Sequence, residues 1–510
     1  MTNLPTVTRP RRVLAARRLV LLASVAGLGA AVLFTSPGAP QLGLPSFAAA
    51  ARADTAQRPV GFADIVEKVK PAVISVRVKV DGGSRTMGFS NRDLPPGLEQ
   101  FFRRFGMPDQ TPDEPRGNRG RNFVMGQGSG FFISADGFAV TNNHVVDKAE
   151  SVEVTTDEGK TYTAKVIGTD PKTDLALIKI DGRNDFPHVK LSETNPRVGD
   201  WVLAVGNPFG LGGTVTAGIV SAMGRDIGNG PYDDFIQIDA PVNKGNSGGP
   251  AFNTDGEVMG VNTAIYSPSG GSVGIAFSIP ASTVRNVVAQ LKDKGSVSRG
   301  WIGVQIQPVT QDIADSLGLK RAEGALVAEP QANGPAAKAG IESGDVITSV
   351  NDENVKDARE LARTIGGIAP GTAVKLNVLH KGQDKVINLT LGTLPNQLEA
   401  KADIGNDDKG GATRGTDVPR LGLTLAPANS VAGAGKEGVV VTEVDPKSAA
   451  AERGFKEGDI ILEVGGKTVA NANDVRDAIS AAKSDNKNVV LMRVKSGGQS
   501  RFVAVPLAKG

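Results

Sequence analysis

The spacing of hydrophobic and polar positions divides the chain into regions with different predicted structures. Residues 61–80 combine a short amphipathic helix, which ends near Pro71, with a strand of alternating apolar positions. From Phe123 to Ile279 the apolar runs become short and are broken by Gly, Asn and Asp. Many short strands of this kind predict a β-barrel or a β-sandwich. The polar segment 81–122 lies between them, and a loop of that length within a domain is usually functional or disordered.

A helical pattern and an internal repeat follow the β-rich region. Pro280 precedes a helix with valine and leucine on one face, and Gly295 is a typical residue at a helix end. Further on, residues 324–350 align without gaps on residues 438–464, with 10 of 27 positions identical. Two copies at this spacing predict two tandem domains, because solenoid repeats have periods of roughly 20–50 residues. The Gly- and Asp-rich stretch 395–418 is predicted to be a flexible linker.

Composition narrows the possible chemistry. A length of 510 residues indicates about three domains, and 40% hydrophobic with 22% charged residues is typical of a globular protein. The sequence contains no cysteine, which excludes disulfides, thiolate metal sites and a cysteine nucleophile. Three histidines leave little room for a zinc site. We therefore expect no metal and no cofactor.

The first 50 residues have the order of a signal peptide. Arginines precede an apolar run from Leu19 to Phe34 and a small-residue stretch at 47–51, which predicts a signal peptide over 1–50 with cleavage near Ala50. An uncleaved anchor is the alternative, although the run is shorter than a spanning helix. Cleavage would remove five arginines and change the net charge from +3 to −2, so the basic isoelectric point does not indicate nucleic-acid binding. We expect a periplasmic protein with no stable membrane span after cleavage.

One serine lies in an unusual setting. In the stretch GNSGGP, Ser247 follows Gly245-Asn246 and precedes two glycines, which predicts a tight loop that another group approaches closely. A serine hydroxyl becomes nucleophilic when a base removes its proton, and histidine is the usual base. His144 lies where an apolar strand breaks into two asparagines, a typical place for a functional side chain. His188 and His380 have ordinary strand-edge contexts and are predicted to be structural.

An acid is needed to hold the imidazole in the correct tautomer. Asp174 directly precedes an apolar strand, whereas Asp170 stands in an Asp-Pro pair typical of a turn, so we favour Asp174. The order His144, Asp174, Ser247 is that of chymotrypsin-type proteases. It agrees with the all-β pattern of this region.

Three motifs in this order, TNNHVV, TDLALIKI and GNSGGP, resemble the Do-type (HtrA/DegP) family of exported serine endoproteases. The resemblance covers essentially the whole mature chain. It implies a mainly β fold, with a chymotrypsin-like double β-barrel protease domain followed by two PDZ domains (α+β). The implied boundaries are 51–122 for the N-terminal segment, first strand and long regulatory loop, 123–294 for the protease body, 296–394 for the first PDZ domain, 395–418 for the linker and 419–510 for the second PDZ domain.

The resemblance also implies roles for individual residues. His144 is the general base, Asp174 orients it, and Ser247 is the nucleophile. Gly245, Asn246 and Ser247 would form the oxyanion and substrate-binding loop, in which the backbone N–H groups of Gly245 and Ser247 donate to the oxyanion. Five residues would pair with the substrate as an added strand and line a shallow apolar pocket: Thr263, Ala264, Ile265, Tyr266 and Ser267. No acid stands there, which argues against cleavage after Lys or Arg and favours small aliphatic side chains.

In the two PDZ repeats, segments 298–306 and 418–425 correspond to the first strand and the carboxylate-binding loop. The resemblance assigns contacts with peptide C-termini to six residues of these loops: Gly300, Trp301, Ile302, Gly303, Leu421 and Gly422. The second loop departs from the first, because Arg420-Leu421-Gly422 replaces the longer glycine-flanked motif. The Gly-Asp pairs at 344–345 and 458–459 are interpreted as turn formers.

The implied activity is ATP-independent degradation of unfolded exported proteins by a homo-oligomer, a trimer or a multiple of trimers. Two alternatives stay open, a chaperone or peptide-binding scaffold with little proteolysis, and a site-specific regulatory protease in stress signalling. In the long loop, Phe101, Phe102 and Phe105 could cover a neighbouring subunit's active site, or belong to a disordered surface loop. We expect no nucleic-acid partner. The stretch GQGSG at 126–130 lacks the spacing of a dinucleotide-binding loop.

Overall fold

The computed structural model describes three stretches of the chain. These are residues 61–81, 123–395 and 415–507, apart from Phe209, Leu211, Asn229, residues 269–270, Arg420, Ala432 and Asn486. The predicted signal peptide, most of the long polar loop with its phenylalanines and most of the predicted linker lie outside the described residues. Within the described stretches no helix is long and apolar enough to cross a lipid bilayer.

Six antiparallel strands close into a first barrel. Helix α1 (Ala63–Val69) and a 3-10 turn over Lys70–Ala72 lead into it. The strands are β1 (Val73–Asp81), β2 (Phe123–Phe132), β3 (Phe138–Asn142), β4 (Ser151–Thr155), β5 (Thr161–Asp170) and β6 (Leu175–Ile180), and the one-turn helix α2 (Asn143–Val146) follows β3. They pair in the order β1-β2-β3-β6-β5-β4. Branched aliphatic side chains fill the interior with Phe132 and Phe186, whose ring centroids lie 4.5 Å apart.

A second barrel repeats this arrangement. Its strands are β7 (Trp201–Gly206), β8 (Thr214–Arg225), β9 (Phe235–Ile238), β10 (Pro250–Phe252), β11 (Val258–Ile265) and β12 (Ala276–Pro280), closed in the order β10-β11-β12-β9-β8-β7. The predicted double barrel is therefore confirmed. The apolar pattern does not mark β8, because most of its side chains are exposed or half-buried and no alternation develops.

Helix α3 (Ala281–Lys294) follows the second barrel at the position that the sequence predicts for a helix. Pro280 precedes its first turn, and Gly295 ends it in the left-handed conformation at φ +68°. Its buried face joins an apolar cluster that contains residues of both barrels, among them Leu177 and Phe252. The helix thereby holds the two barrels together.

The first repeat forms a PDZ domain with a five-stranded main sheet. Its elements are β13 (Gly300–Trp301), β14 (Val304–Pro308), α4 (Gln311–Leu317), β15 (Ala325–Pro330), α5 (Pro335–Lys338), β16 (Val346–Val350), β17 (Glu353–Asn354), α6 (Ala358–Gly367), β18 (Ala373–His380), β19 (Gln383–Thr390) and β20 (Gly392–Thr393). The sheet order is β14-β15-β16-β18-β19, with β17 on β16, while β13 pairs with β20. Strand β14 is thus at the edge of the sheet, and α6 lies against it.

The second repeat has a similar succession of elements, but a 3-10 turn stands in place of α4, its described residues contain no counterpart of β20, and its first strand pairs within the main sheet. Its elements are β21 (Thr416–Val418), β22 (Leu423–Pro427), a 3-10 turn over Ala428–Ser430, β23 (Val439–Val444), α7 (Ala449–Glu452), β24 (Ile460–Val464), β25 (Lys467–Thr468), α8 (Ala472–Ser484), β26 (Val489–Ser496) and β27 (Gln499–Pro506). The sheet order is β21-β22-β23-β24-β26-β27, with β25 on β24. The predicted linker, 395–418, is corrected at its end, because Thr416–Val418 form β21 and the Val418 side chain is buried in this domain.

The two PDZ domains share an apolar contact. Phe502 of β27 is 8% exposed and lies in a cluster with Leu326 and other side chains of the first domain. The Gln307 side chain accepts from the Phe502 N–H at 2.7 Å and donates to the Phe502 carbonyl at 3.0 Å. This pair of bonds orients the last hairpin of the second domain against β14 of the first.

Candidate active site

The first barrel brings a histidine and an aspartate together at the ends of two neighbouring strands. Strand β3 ends at Asn142 and continues into α2, which carries His144. Strand β6 is antiparallel to β3 and begins directly after Asp174. The Asn143 N–H and the Asn142 side-chain amide both donate to the Asp174 carbonyl, at 3.1 and 2.9 Å. These bonds fix the two turns beside each other.

The Asp174 carboxylate contacts His144 at two points. The His144 backbone N–H donates to Oδ1 at 2.9 Å, and ring Nδ1 lies 2.7 Å from Oδ2. Because an ionised carboxylate only accepts hydrogen bonds, Nδ1 carries the proton and Nε2 carries the lone pair of a base. Asp174 has a φ of +56°, a left-handed conformation uncommon outside glycine, which these bonds maintain.

The rival aspartate, Asp170, binds a different partner. Arg299 donates to its two carboxylate oxygens at 2.9 and 2.5 Å, and both side chains are buried. Because Arg299 occupies the Asp170 carboxylate, the structure places Asp174, and not Asp170, next to His144.

The surroundings of Arg299 also shift two neighbouring groups. Its guanidinium lies 4.7 Å from the centroid of the Tyr232 ring. Burial raises the pKa of the Tyr232 phenol, and burial together with the charge of Arg299 lowers the pKa of Lys172.

The second barrel supplies the loop that carries Ser247, between β9 and β10. The Asn246 N–H donates to the Asn243 carbonyl at 3.1 Å, and Gly245 has a φ of +86°. This is the pattern of a type II turn, which requires a positive φ at its third residue. Among the described residues, the N–H groups of Gly245 and Ser247 have no acceptor. Two neighbouring donors without acceptors can stabilise an oxyanion.

Glycine is required at two positions of this loop for steric reasons. A Cβ built on Gly245 would lie 2.3 Å from the Cβ of Pro208, and one on Gly248 would lie 2.2 Å from the Ser129 carbonyl oxygen. Asn246, between Gly245 and Ser247, is 5% exposed and accepts from the Thr214 hydroxyl at 3.4 Å. Its side chain therefore points into the second barrel and supports the loop from beneath.

Thr263 connects the serine to the aspartate. Its carbonyl accepts from the Ser247 hydroxyl at 3.4 Å, and its own hydroxyl donates to Asp174 Oδ2 at 2.5 Å. Sequence reasoning placed Thr263 only in the substrate wall and missed this second contact. A threonine next to a substrate strand carries no local signal for a partner 89 positions away.

Ser129 of β2 is a further residue that sequence reasoning missed. Its N–H donates to the Ser247 carbonyl at 2.8 Å, and its hydroxyl donates to the Gly245 carbonyl at 2.6 Å. The same hydroxyl accepts from the Asn207 N–H at 2.8 Å, and Thr141 donates to the Ser129 carbonyl at 2.7 Å. Ser129 thus binds the carbonyls of Gly245 and Ser247, the two loop residues whose N–H groups have no acceptor among the described residues. Its setting in GQGSG was the available signal, since two glycines flank it at close range.

The remaining predicted wall residues follow Thr263 toward the surface. Ala264 and Ile265 end β11 and are half-buried, and Ile265 packs on the apolar interior of the second barrel. Tyr266 is 62% exposed, and the Ser267 hydroxyl donates to the Gly271 carbonyl at 2.5 Å. The wall is apolar at its base and exposed at its tip.

The other two histidines lie elsewhere. Exposed His188 has Nδ1 3.2 Å from the Phe186 carbonyl. His380, at the end of β18 in the first PDZ domain, has Nδ1 2.6 Å from the buried Asp345 carboxylate. Asp345 also accepts from the Glu342 N–H at 2.9 Å. It therefore closes the turn that the Gly344-Asp345 pair predicts.

The predicted PDZ loop residues occupy matching places in the two domains. Gly300 and Trp301 form β13, and Ile302 is buried beside them. Gly303 has a φ of +75° and lies against the Trp301 ring. In the second domain Leu421 is buried and Gly422 has a φ of +66°. The described residues contain no cluster of three or more His, Asp or Glu side chains arranged to hold a metal ion.

Comparisons with known proteins agree with this architecture. A family model for a trypsin-like peptidase domain matches residues 128–261, and one for a PDZ domain matches residues 300–391 and 419–507. The chain is 54% identical over 472 residues to a probable periplasmic serine endoprotease DegP-like of Brucella melitensis, covering 89% of this chain and 91% of the relative. A protein of the same name from Rhizobium meliloti is 48% identical over 509 residues, covering 96% and 99%. A solved HtrA-type protease, AlgW with a decapeptide, superposes with a TM-score of 0.54 at 35% identity, covering 66% of this chain and 100% of that one.

Proposed function

The chain belongs to the family of DegP-like periplasmic serine endoproteases and is a serine endoprotease, and from that premise we propose that His144, Asp174 and Ser247 form its catalytic triad. The observation that carries the proposal is the chain of contacts from His144 through Asp174 and Thr263 to Ser247. It joins a base, the carboxylate that orients the base, and a nucleophile across the two barrels.

The proposed reaction proceeds through an acyl-enzyme. Ser247 Oγ attacks the scissile carbonyl while His144 Nε2 takes its proton, and the same imidazolium then gives that proton to the leaving amine. Water then attacks the ester while His144 Nε2 takes its proton; the ester C–O bond breaks, the proton passes to Ser247 Oγ, and the peptide leaves with a new carboxyl terminus. The Gly245 and Ser247 N–H groups donate to the oxyanion in both steps, each donor contributing roughly 2.7–4 kcal/mol. Asp174 stays ionised and stabilises the imidazolium.

The substrate strand is proposed to pair with residues 263–267 beside the nucleophile. Ile265, half-buried on the apolar interior of the second barrel, supports a pocket for small aliphatic side chains. We extend the proposal to unfolded exported proteins as substrates, because an added strand requires an extended chain. Cleavage-site sequencing should show Ala or Val before the scissile bond, and a preference for Lys or Arg would contradict it.

The proposed setting is the periplasm, in a homo-oligomer of three chains or a multiple of three. An exposed patch on the second barrel supports self-association: Trp201 is 52% exposed, Val198 63%, and Ile219, opposite Trp201 in register, 36%. Light scattering should give a mass of at least three chains, and a monomer would contradict the proposal. N-terminal sequencing of the exported protein should begin near residue 51, after removal of the signal peptide.

The first experiment is hydrolysis of unfolded β-casein by the wild type and by Ser247→Ala. Turnover should fall by roughly 10⁶-fold in the variant, because removal of one triad member disables the unit. His144→Ala should be equally inactive, while His188→Ala, an exposed histidine outside the site, is the matched control with wild-type turnover. Comparable hydrolysis by wild type and Ser247→Ala would refute the triad. Suppression of aggregation by both proteins without cleavage would favour the chaperone alternative.

A further inference from the structure

The peptide-binding edges of the two PDZ domains differ. In the first domain, the described residues place no strand on the outer side of β14, and the N–H groups of Ile302 and Gly303 have no acceptor among them. In the second domain, the outer side of β22 pairs with β21 at Leu423, Thr424 and Leu425, the three residues of β22 next to the loop. The first edge can accept an added strand, and the second has one already.

Strand β21 lies where a peptide ligand of a PDZ domain would lie. It is antiparallel to β22, with Thr416 opposite Leu425 and Val418 opposite Leu423. It also contacts α8, from which the Arg476 guanidinium donates to the Asp417 carbonyl. An extended segment between a sheet edge and the neighbouring helix is the arrangement of β-augmentation.

The end of β21 is held as a peptide C-terminus would be. The Leu421 and Gly422 N–H groups, which belong to the carboxylate-binding loop, donate to the Val418 carbonyl at 3.0 and 3.2 Å, and the Gly422 N–H is shared with the Pro419 carbonyl at 3.2 Å. The Val418 side chain is 2% exposed and joins the apolar core of the domain with Val475 and Ile479 of α8. A main-chain carbonyl therefore occupies the place of a carboxylate oxygen, above a buried small aliphatic side chain.

We propose that Thr416–Val418 is an intramolecular ligand that fills the peptide groove of the second PDZ domain. The inference rests on the function that the family resemblance implies for the PDZ domains of this protease, the binding of peptide C-termini. The same chemistry identifies the external ligand: an extended peptide that ends in a small aliphatic residue with a free carboxylate. Because a short loop tethers the segment, its effective concentration is on the order of millimolar, and an external peptide binds only when the segment has left.

The test is titration calorimetry of the full chain carrying Ser247→Ala, with a peptide that ends in Gly-Thr-Asp-Val and a free carboxylate. Val418→Gly removes the apolar side chain that anchors the segment. Compared with the parent chain, which keeps Val418, the variant should show one additional binding site per chain. The apparent affinity of the second PDZ domain for the peptide should be at least about tenfold tighter in the variant than in the parent. The matched control is Asp417→Ala in the same strand, because the Asp417 side chain is exposed and its removal should add no site. A site in the first PDZ domain would be present in both the parent and the variant, so it does not change the difference in the number of sites between them.

Amide hydrogen exchange provides a second measurement that needs no ligand. The amides of Leu421 and Gly422 should exchange slowly in the parent chain, faster in Val418→Gly, and slowly again when the peptide is added. Equal numbers of sites in the parent and Val418→Gly, or rapid exchange of both amides in the parent, would overturn the inference. A parent chain with no site and a variant with one would support it, while contradicting peptide capture by the first domain. Loss of proteolysis in Ser247→Ala bears on the proposed function alone.

Discussion

The two barrels share one fold but contribute different groups to the proposed active site. The first barrel supplies side chains: His144 from the turn after β3 and Asp174 from the turn before β6. The second supplies Ser247 and, around it, main-chain N–H groups exposed by a glycine turn. Side-chain chemistry is visible in a sequence, whereas N–H groups depend on how the backbone is held.

The contacts between the barrels are as specific as those within them. Thr263 of the second barrel donates to Asp174 of the first, and Ser129 of the first binds the carbonyls of Gly245 and Ser247 in the second. Each barrel thus completes the part of the site that the other presents. Variants that remove these bonds one at a time measure how much activity each barrel's contribution provides.

The largest effect in this series is expected for Asp174→Asn in the first barrel. An amide in place of the carboxylate can donate to His144 Nδ1 and so favours the wrong imidazole tautomer, which should lower kcat by about 10⁴-fold. Asp181→Asn, an exposed aspartate just after β6, serves as the control. Peptide hydrolysis under single-turnover conditions measures the change. A loss of less than tenfold would mean that Asp174 does not orient the base.

Ser129→Ala should have an intermediate effect, since it leaves every triad residue in place. The Gly245 carbonyl and the Asn207 N–H lose their shared partner, and a displaced oxyanion turn should lower kcat by about 10- to 100-fold with little change in KM. The control is Ser75→Ala, because Ser75 lies opposite Ser129 in register, is fully buried, and its hydroxyl has no partner among the described residues.

A boronic acid that mimics the tetrahedral intermediate sharpens this measurement. Its affinity should fall in Ser129→Ala by the same factor as kcat/KM, whereas a plain peptide should bind equally well. Identical kinetics for Ser129→Ala and Ser75→Ala would show that the first barrel does not position the oxyanion donors.

The smallest effect is expected for Thr263→Val, which has nearly the same volume and lacks only the hydroxyl. The lost hydrogen bond to the Asp174 carboxylate should lower kcat by about 5- to 10-fold, which is less than the roughly 1.5–3 kcal/mol of a bond to a charged group because water can replace part of it. KM should hardly change if the Thr263 main chain still receives substrate. A rise in KM with unchanged kcat would instead confine Thr263 to the substrate wall.

The sequence predicted the elements that local chemistry determines. Pro280 and Gly295 enclose the observed α3, and the mainly β architecture follows from the short apolar runs. The roles of Ser129 and Thr263 could not be predicted, because their partners are distant in the chain and lie on the other barrel. Strand β21 was missed for a related reason: three residues at the end of a polar stretch show no periodicity, and only burial of Val418 against the domain core orders them.

The buried pair of Arg299 and Asp170 has a consequence for how this protein can be divided. Arg299 stands just before β13 of the first PDZ domain, whereas Asp170 ends β5 of the first barrel, four residues before Asp174. A protease domain cut after α3 would retain the Asp170 carboxylate and lose the guanidinium that binds both of its oxygens. Loss of one partner of a buried ion pair destabilises by up to about 3–5 kcal/mol where the remaining charge stays buried. The autonomous proteolytic unit therefore extends past the apparent domain border, and a shortened enzyme that keeps residue 299 should be more stable than one that stops before it.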